Sequence, residues 1–406
     1  MVKLFYQKSI STGAKTMQLT WNQQVVKRNN KSLVLQMIKE QTPLSRAEIS
    51  QRTGLNKSTV SSLVTELLDD ELVYETGPGE SSGGRRPVML LFNHIAGYSI
   101  GIDIGVNYLL GILTDLQGKI ISEKNIPLHE LDYKKVMNQV NQMITHLIDM
   151  APTSRYGVVG IGIGVPGIVD EKGEILLAPN LGWKDTLIKE ELEETFQLPV
   201  IIENEANAGA YGEMRFGAGQ LFENITYISA SIGIGVGFIL KSELYRGKNG
   251  FSGESGHMMI DMNGRKCSCG RNGCWEAYAS EHALLNEAKQ LLKVDLTLEQ
   301  LIDEGKKANP EVIALFKRVG QYLGIGITNL VNTLNPQQVI IGNRMSMAKE
   351  YLQETVNYTI LEQSLPFHHK NLSIQFSELT IYSAALGVSA FVVENFFITE
   401  ELVEQT

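Results

Sequence analysis

The chain has 406 residues, of which 43% are hydrophobic and 20% are charged, and its formal net charge is −9. At roughly 100–200 residues per domain this length predicts two or three domains, and the composition excludes wholesale disorder. The sequence contains no apolar run near the ~18 residues of a membrane span, nor a secretion signal at its start, so we expect a cytoplasmic protein without a membrane partner. The acidic balance argues, on its face, against nucleic acid as a partner.

The net charge hides an uneven distribution. Residues 1–92 carry 12 Lys and Arg against 8 Asp and Glu, whereas residues 93–406 carry 24 against 37. The chain is therefore a small, mildly basic head on a large acidic body. The predicted boundaries are 1–20 for an extension expected to be disordered, 21–96 for the head and 97–406 for the body. Met17 immediately precedes the head and is a candidate for the natural start.

Three short helices are predicted between residues 32 and 72. Ser45 and Glu48 form a capping box at the start of the second helix, which ends at Thr53-Gly54. The third helix begins near Asn56. Two helices joined by a short turn that contains Gly are typical of a helix-turn-helix unit.

The second helix of such a unit places its first residues in the major groove of DNA. Here that segment carries hydrogen-bonding side chains and no obvious core residue, which predicts a DNA-binding face. The candidate residues are Asn56, Lys57, Ser58, Thr59, Ser61 and Ser62. A solvated face on a small helical domain is the alternative interpretation.

Two apolar segments after the third helix, Leu72–Tyr74 and Val88–Phe92, have the pattern of strands and are joined by GPGESSGGRRP. A hairpin in this position is a wing, and Arg85 and Arg86 at its tip suit a narrow minor groove. A flexible linker with incidental arginines is the alternative. Helices and hairpin together predict an N-terminal winged helix-turn-helix domain that binds DNA.

In the body, a strand, a Gly-rich turn and a second strand occur in succession twice, at residues 98–113 and 225–240. A helical pattern from Val136 to Ile148 and a buried strand, Tyr156–Val165, lie between them, which predicts a duplicated architecture of two α/β lobes. A Gly-rich turn at the edge of such a lobe can bind phosphate through its backbone N–H groups, although either turn alone is a weak signal.

The three cysteines of the chain, Cys267, Cys269 and Cys274, lie close together. An odd number of neighbouring thiols is a poor disulfide framework, whereas thiolates clustered among glycines are typical of a metal site. With His257, ten residues before Cys267, they form a Cys₃His set suited to one structural zinc per chain, in a knuckle spanning 257–274. Three free thiols on a loop are the alternative.

Polar side chains near the knuckle and after a buried strand predict a ligand site. Glu254 and Glu276 flank the knuckle and His257 has a second ring nitrogen, so these groups can bind the hydroxyls of a polyol. Glu203-Asn204-Glu205 follows the apolar strand Leu198–Ile202, and polar groups at the carboxyl end of a strand usually line a ligand crevice. A helix cap accounts for one or two of them; we expect Asn204 and Glu205 to contact the ligand.

The body resembles the ROK family of sugar kinases and sugar-responsive repressors. The matching segments are GIDIGVN (101–107), GVPGIVD (164–170), APNLGW (178–183), ENEANAGAYGE (203–213), SIGIGVG (231–237), SGESGH (252–257) and CSCGRNGCWE (267–276). With the head and its SSGGRRP segment, the chain is most similar to the repressor branch, and within it to the xylose-responsive repressors of Gram-positive bacteria. The resemblance implies a two-lobed, actin/hexokinase-like body with sugar in its cleft. The residues it places at the sugar are Asn180, Asn204, Glu205, Glu254, His257 and Glu276.

Several departures separate the chain from the ROK kinases. The first phosphate turn, D-x-G-G-T in the kinases, is Asp103-Ile-Gly105-Val106-Asn107 here, and the second has Ile232 and Val236 in place of Thr and Gly. Gly342-Asn343 replaces a Gly pair on the adenine side. Glu205 stands where the kinases have a catalytic Asp, and a base misplaced by 1 Å can cost ~10²-fold in rate. We therefore expect a sensor with no catalytic residue, in which branched side chains keep phosphate from both turns.

These features predict a homodimeric repressor of xylose-utilisation genes. Two winged heads would bind a pseudo-palindromic operator, and D-xylose would release it. Two alternatives remain. One is an ATP-dependent sugar kinase with an added DNA-binding head, and the other is a transcriptional activator. No feature of the sequence distinguishes an activator from a repressor.

Overall fold

A computed structural model describes residues 23–78, 87–170 and 172–403. The chain divides into two compact units, Met1–Asn93 and His94–Thr406. The predicted extension 1–20, with Met17, lies outside the described residues. Within the described ranges, no helix is long and apolar enough to cross a membrane.

The head consists of three helices and a three-stranded sheet. In chain order its elements are α1 (Gln23–Gln41), β1 (Leu44–Ser45), α2 (Arg46–Thr53), α3 (Lys57–Asp69), β2 (Val73–Pro78) and β3 (Val88–Phe92). Strand β3 lies between β1 and β2 and is antiparallel to both. Fully buried apolar side chains from every helix and from β3, among them Ile38, Ile49, Val60 and Leu90, form the core. The predicted winged helix-turn-helix fold is confirmed.

The turn between α2 and α3 is built by local hydrogen bonds. The backbone N–H of Glu48 donates to Ser45 Oγ (3.3 Å) and that of Ser45 donates to Glu48 Oε2 (2.8 Å), so the predicted capping box is present. Gly54 ends α2 with φ +72°, in the left-handed region that glycine adopts without strain. Asn56 then caps α3, which fixes where that helix begins.

The first lobe of the body is built on a five-stranded sheet. Its elements are β4 (Tyr98–Ile104), β5 (Tyr108–Asp115), β6 (Ile120–Pro127), α4 (Tyr133–Asp149), β7 (Val158–Val165), β8 (Ile168–Val169), β9 (Ile175–Ala178), β10 (Trp183–Thr186), α5 (Ile188–Phe196), β11 (Val200–Asn204) and α6 (Glu205–Phe216). The strand order is β6-β5-β4-β7-β11, with β4, β5 and β6 antiparallel and with β7 and β11 parallel to β4. Strands β8 to β10 form a separate small sheet that the sequence pattern does not predict.

The second lobe repeats this plan. Its elements are β12 (Ile225–Ala230), β13 (Ile234–Leu240), β14 (Glu243–Leu244), α7 (Glu276–Ala279), α8 (Glu281–Leu292), α9 (Leu298–Lys306), α10 (Pro310–Leu334), β15 (Gln338–Gly342), α11 (Lys349–Gln363), β16 (Ser373–Phe376) and α12 (Tyr382–Val403). Two short 3₁₀ helices, Glu254–His257 and Arg344–Ala348, lie in its loops. The strand order is β14-β13-β12-β15-β16, again with three antiparallel strands followed by two parallel ones.

The two sheets therefore have one topology, and the expected duplication into two α/β lobes is confirmed. Each lobe has its own apolar core. Helix α12 returns from the second lobe to the first, where it packs directly on the sheet. A Cβ on Gly101 would lie 2.1 Å from the carbonyl oxygen of Ala385, and one on Gly162 would lie 2.5 Å from that of Val388. Only glycine permits this approach of helix to sheet.

Candidate functional site

The exposed face of α3 carries most of the predicted DNA-binding residues. Lys57, Ser61 and Ser62 are exposed, while the opposite face of the helix is buried in the core of the head. Lys57 forms no ion pair among the residues that the structure describes. Thr65 lies one turn beyond Ser61 on the same face and is also exposed. A helical projection extended by one turn would have added it to the predicted set.

The side chains at the start of α3 have structural roles as well. Asn56 Oδ1 accepts hydrogen bonds from the backbone N–H of Thr59 (2.8 Å) and from Ser58 Oγ (2.7 Å). Asn56 is thus the N-cap of the helix, and its amide nitrogen remains available to a partner outside the chain. Arg85 and Arg86, predicted at the tip of the wing, lie outside the described residues.

In the second lobe, His257, Cys267, Cys269 and Cys274 bring their ligand atoms within 4.8 Å of one another, so this cluster could hold a metal ion. Cys269 Sγ lies 3.7 Å from Cys274 Sγ, and Cys267 Sγ lies 3.6 Å from His257 Nδ1. Tetrahedral zinc, with Zn–S bonds of about 2.3 Å and Zn–N bonds of about 2.0–2.1 Å, places two sulfurs about 3.8 Å apart and a sulfur and a nitrogen about 3.6 Å apart. The donor spacing therefore fits such an ion.

The backbone of the knuckle is shaped to hold these thiols. The backbone N–H of Cys269 points to Cys267 Sγ (3.4 Å), and Arg271 Nε lies 3.5 Å from Cys269 Sγ. Burial raises the pKa of Cys269, but hydrogen bonds from Arg271, Cys267 and Cys274 together outweigh it and bring the pKa to about 6. Burial raises the pKa of Cys267 and of Cys274, so Cys269 is the thiol that most readily supplies the thiolate that binds metal. Gly273 is required because its Cβ would lie 1.6 Å from the carbonyl oxygen of Asp261.

His257 joins the metal cluster to the candidate sugar site. Its Nδ1 faces Cys267, and its Nε2 lies 3.9 Å from Glu254 Oε2. Glu276 Oε1 accepts a hydrogen bond from Cys267 Sγ (2.9 Å) and lies 3.5 Å from His257 Nδ1. The other oxygen of Glu276 points to the turn between β12 and β13, where a Cβ on Gly233 would lie 3.1 Å from it.

Asn180 reaches the same turn from the first lobe. Its Nδ2 atom would lie 3.2 Å from a Cβ on Gly233. The structure therefore brings together Asn180, Glu276, His257 and Glu254, four of the six residues expected at the sugar, although they lie far apart in sequence. Carboxylates, an amide and an imidazole around a glycine turn offer both acceptors and donors to a ligand rich in hydroxyls.

Asn204 and Glu205 form a second group, and none of the hydrogen bonds or ion pairs among the described residues joins it to the first. Asn204 Oδ1 caps α6 by accepting from the backbone N–H of Ala206 and Asn207, and its Nδ2 donates to the carbonyl oxygen of Gly167 (2.8 Å). The helix-cap interpretation thus accounts for the oxygen of Asn204, and one N–H of its amide remains for a ligand.

Glu203, directly before this group, is held by Arg246. Arg246 Nε donates to Glu203 Oε2 (2.7 Å), and Asn207 Nδ2 donates to its other carboxylate oxygen (3.1 Å). Because both oxygens of Glu203 have partners inside the chain, its role is to support the start of α6. Arg246 and Glu203 are 43 residues apart in the chain, so no local sequence pattern predicts their ion pair.

Glu205 is buried where the two lobes meet. Its Oε1 accepts from Ser229 Oγ (2.8 Å), which in turn accepts from Asn343 Nδ2 (3.0 Å). Asp103, fully buried at the end of β4, accepts at Oδ2 from Tyr108 OH (2.6 Å), while its Oδ1 has no hydrogen-bond partner among the described residues. Burial first, and then the negative charge of Glu205, raises the pKa of Asp103; burial also raises the pKa of Glu205.

The expected obstruction of the second phosphate turn by Val236 is wrong, because Val236 is buried in the core of the second lobe. Val106 is partly buried against the core of the first lobe, and its obstruction of the first turn stays a prediction. Alternate residues of a strand point to opposite faces, so Val236 faces away from the turn that it follows. The side chain that covers the first turn is Tyr108, whose ring would lie 2.4 Å from a Cβ on Gly105.

Comparison with known proteins agrees with this architecture. The ROK family pattern matches residues 99–395, and the MarR family pattern matches residues 26–86. The chain therefore belongs to the ROK family and carries a MarR-like helix-turn-helix domain. The resemblance stated from the sequence motifs is confirmed.

Two relatives that cover both units are named as xylose repressors. The xylose repressor of Bacillus spizizenii is 46% identical over 375 residues, covering 92% of this chain and 97% of that protein, and the xylose repressor of Bacillus subtilis is 45% identical over the same length. Among solved structures, a ROK family transcriptional regulator homologous to the E. coli MLC protein has a TM-score of 0.80 at 28% identity, covering 93% of this chain and 99% of that one.

The body alone is similar to a kinase. A ROK family glucokinase from Streptomyces griseus, solved with glucose and AMPPNP, has a TM-score of 0.68 at 27% identity and covers 73% of this chain and 99% of that one. The hexokinase-like fold of the body is therefore confirmed.

Proposed function

We propose that this chain is a xylose-responsive transcriptional repressor, which binds operator DNA through its head and releases it when D-xylose enters the body. One observation carries the proposal: the 46% identity to a xylose repressor extends over 92% of the chain and so includes both the DNA-binding head and the body. A kinase relative without the head would match only the body.

The sugar site is proposed to include all six expected residues. Glu276 and Asn180 lie at the turn of Gly233, and His257 connects Glu276 with Glu254. Asn204 and Glu205 are proposed to extend the site towards the first lobe. A carboxylate that accepts a sugar hydroxyl forms a charge-assisted hydrogen bond, roughly twice as strong as a neutral one. A neutral sugar needs no basic surface, in agreement with the acidic body.

Zinc is the metal we propose for the knuckle, with one ion per chain. Metal on His257 Nδ1 leaves the proton of the neutral ring on Nε2, which then donates towards Glu254 or a sugar hydroxyl. The ion would be structural, since three thiolates and an imidazole fill a tetrahedral shell and leave no open position for chemistry. Metal binding and sugar binding are thereby linked through the orientation of one ring.

The DNA contacts are proposed for Lys57 and the other exposed residues of α3, together with Arg85 and Arg86 of the wing. One head covers one half-site, so we propose a homodimer on a pseudo-palindromic operator. A protein that binds bacterial operator DNA works in the cytoplasm, which is the location we propose. D-xylose can release the operator only through different affinities for two conformations; a ~100-fold loss of operator affinity corresponds to about 2.7 kcal/mol of coupling.

An operator-shift titration tests this function. The full chain, bound to an operator selected from random DNA, is titrated with D-xylose and, in parallel, with glucose and N-acetylglucosamine. We expect release by D-xylose alone, and we expect Glu254→Gln to keep operator affinity while losing most of the response. Release only by another sugar would overturn the ligand assignment, and failure to select any operator would overturn the repressor.

We infer that the body does not transfer phosphate. The specific support is Glu205, which stands where the kinases have a catalytic Asp and whose Oε1 already accepts a hydrogen bond from Ser229 Oγ; a base displaced by about 1 Å can cost ~10²-fold in rate. A coupled ADP-release assay over a panel of sugars, at saturating ATP and Mg²⁺, tests this. Turnover near ~1 s⁻¹ or above, an ordinary enzymatic rate, would instead support the kinase alternative.

A further inference from the structure

The two glycine turns of the duplicated lobes occupy equivalent positions but have different surroundings. Each joins the first two strands of its sheet, β4 to β5 at Gly105 and β12 to β13 at Gly233. A Cβ on Gly233 would meet only Glu276 and Asn180 within 4 Å, both polar residues of the candidate sugar site. A Cβ on Gly105 would meet the ring of Tyr108 at 2.4, 2.6 and 2.7 Å. One turn faces a ligand site, and the other is covered by the chain itself.

We propose that Tyr108 is a specificity-determining residue that excludes the phosphates of a nucleotide from the turn at Gly105. The proposal rests on the proposed function, since it identifies what separates this sensor from the phosphate-transferring members of its family.

The position of Tyr108 follows from the strand register. Ile104 pairs with Leu109 in the β4–β5 hairpin. The next pair towards the turn is Gly105 with Tyr108, and residues that are directly opposite each other point to the same face of a hairpin. Only 6% of Tyr108 is exposed, and its ring packs with Leu110 and Ala385 in one apolar cluster. The ring is therefore wedged between the turn and α12.

Its hydroxyl is also fixed. Tyr108 OH donates to Asp103 Oδ2 at 2.6 Å, and both residues are buried. Apolar packing at one end and a buried hydrogen bond at the other hold the ring over Gly105.

This arrangement opposes phosphate in two ways. Backbone N–H groups of a glycine turn bind phosphate only when its oxygens can reach the backbone, and the Tyr108 ring occupies the face they would approach. To admit phosphate, the ring would have to leave its cluster, and Asp103 would lose the hydrogen bond to one oxygen while the other already has none among the described residues.

The test is the binding of Mg²⁺-ADP to the full chain, measured by calorimetry with and without saturating D-xylose. We expect no binding heat for the native chain or for Tyr108→Phe, which keeps the ring, and measurable binding by Tyr108→Ala, with an affinity at least tenfold above the weakest that the titration detects. Ile112→Ala is the matched control, because Ile112 is fully buried on the same face of β5, farther from the turn, and it should remain unable to bind ADP.

Three results would overturn the proposal. They are Mg²⁺-ADP binding by the native chain, equal binding by the Tyr108→Ala and Ile112→Ala variants, and no binding by a folded Tyr108→Ala variant. Folding is judged by the melting temperature and by operator binding of the same preparations. The ADP measurement is independent of which sugar releases the operator, so failure of the xylose assignment would appear only in the operator titration.

Discussion

Polar side chains find their hydrogen-bond partners differently on the exposed face of α3 and in the buried group around Glu205. Lys57, Ser61 and Ser62 lie in solvent, whereas Asp103 and Glu205 are buried and bonded to other residues of the chain. A surface for a large charged partner can remain hydrated until it binds, whereas a buried polar group needs hydrogen-bond partners inside the chain. Substitutions on α3 should therefore alter binding alone, and substitutions in the body should alter binding and stability together.

The largest effect is expected from Cys274→Ser, which removes a buried donor of the knuckle. Metal affinity should fall by more than about 100-fold, since even changes outside the ligand set cost about 10–100-fold. D-xylose affinity should fall with it, because His257 loses its fixed orientation. Metal content by mass spectrometry and sugar affinity by calorimetry measure the two effects.

Asn272→Ala is the control for the knuckle, because Asn272 is exposed in the same loop and offers no thiol. It should retain one metal per chain and native sugar affinity. A Cys274→Ser protein that still held one metal per chain would disprove the ligand set, and one that lost the metal but bound D-xylose normally would disprove the link through His257.

A smaller and more selective effect is expected from Lys57→Ala. Removal of one cation per head should weaken operator binding at least about tenfold and should reduce the slope of log affinity against log salt by about 1 for each phosphate that the head no longer neutralises. D-xylose affinity should not change, and stability should stay within about 0.5 kcal/mol because the side chain is exposed. Electrophoretic shifts at several salt concentrations measure the slope.

Lys119→Ala removes the same charge from an exposed position of the body and serves as the matched control. It should leave the slope unchanged. If both variants reduced operator affinity equally, the head would not be the DNA-binding surface, and the contrast between α3 and the body would not hold.

Local signals explain why the head was predictable. The capping box of Ser45 and Glu48 and the glycine at position 54 each act within a few residues, so their outcome does not depend on the rest of the fold. The knuckle was predictable for the same reason, since three of its four donors lie within one loop. The repeated strand–glycine–strand pattern was sufficient to predict two lobes.

The interior of the body was less predictable, because its contacts depend on strand register and on long-range packing. Tyr108 has the pattern of an ordinary strand residue until its pairing places it opposite Gly105. Val236 follows a glycine in sequence but faces the core. The pairing of Arg246 with Glu203 and the small sheet of β8 to β10 likewise arise from chain segments whose proximity no local pattern encodes.

An effect of opposite sign, on stability rather than on binding, is expected from Asp103→Asn. Burial, followed by the charge of Glu205, raises the pKa of Asp103, so the ionised form destabilises the fold. Native stability should therefore fall as pH rises from the pKa of an unfolded aspartate, about 3.9, through the raised value. Asparagine keeps an oxygen for Tyr108 and carries no charge, so the variant should be more stable at pH 7 by about 1–3 kcal/mol, with a smaller difference at pH 4.5.

Asp115→Asn provides the contrast within the same sheet. Asp115 is also buried, but its carboxylate accepts from the backbone N–H of Gln117 and Lys119 and contacts His94 Nδ1 at 2.7 Å. Its replacement should destabilise the body, because an amide cannot accept at both atoms. Urea unfolding followed by the fluorescence of Trp183 and Trp275 measures both variants at each pH. If Asp103→Asn were destabilising at pH 7, the Asp103 carboxylate would be stabilised by a partner, as the Asp115 carboxylate is. The expected contrast between the two buried aspartates would then be disproved.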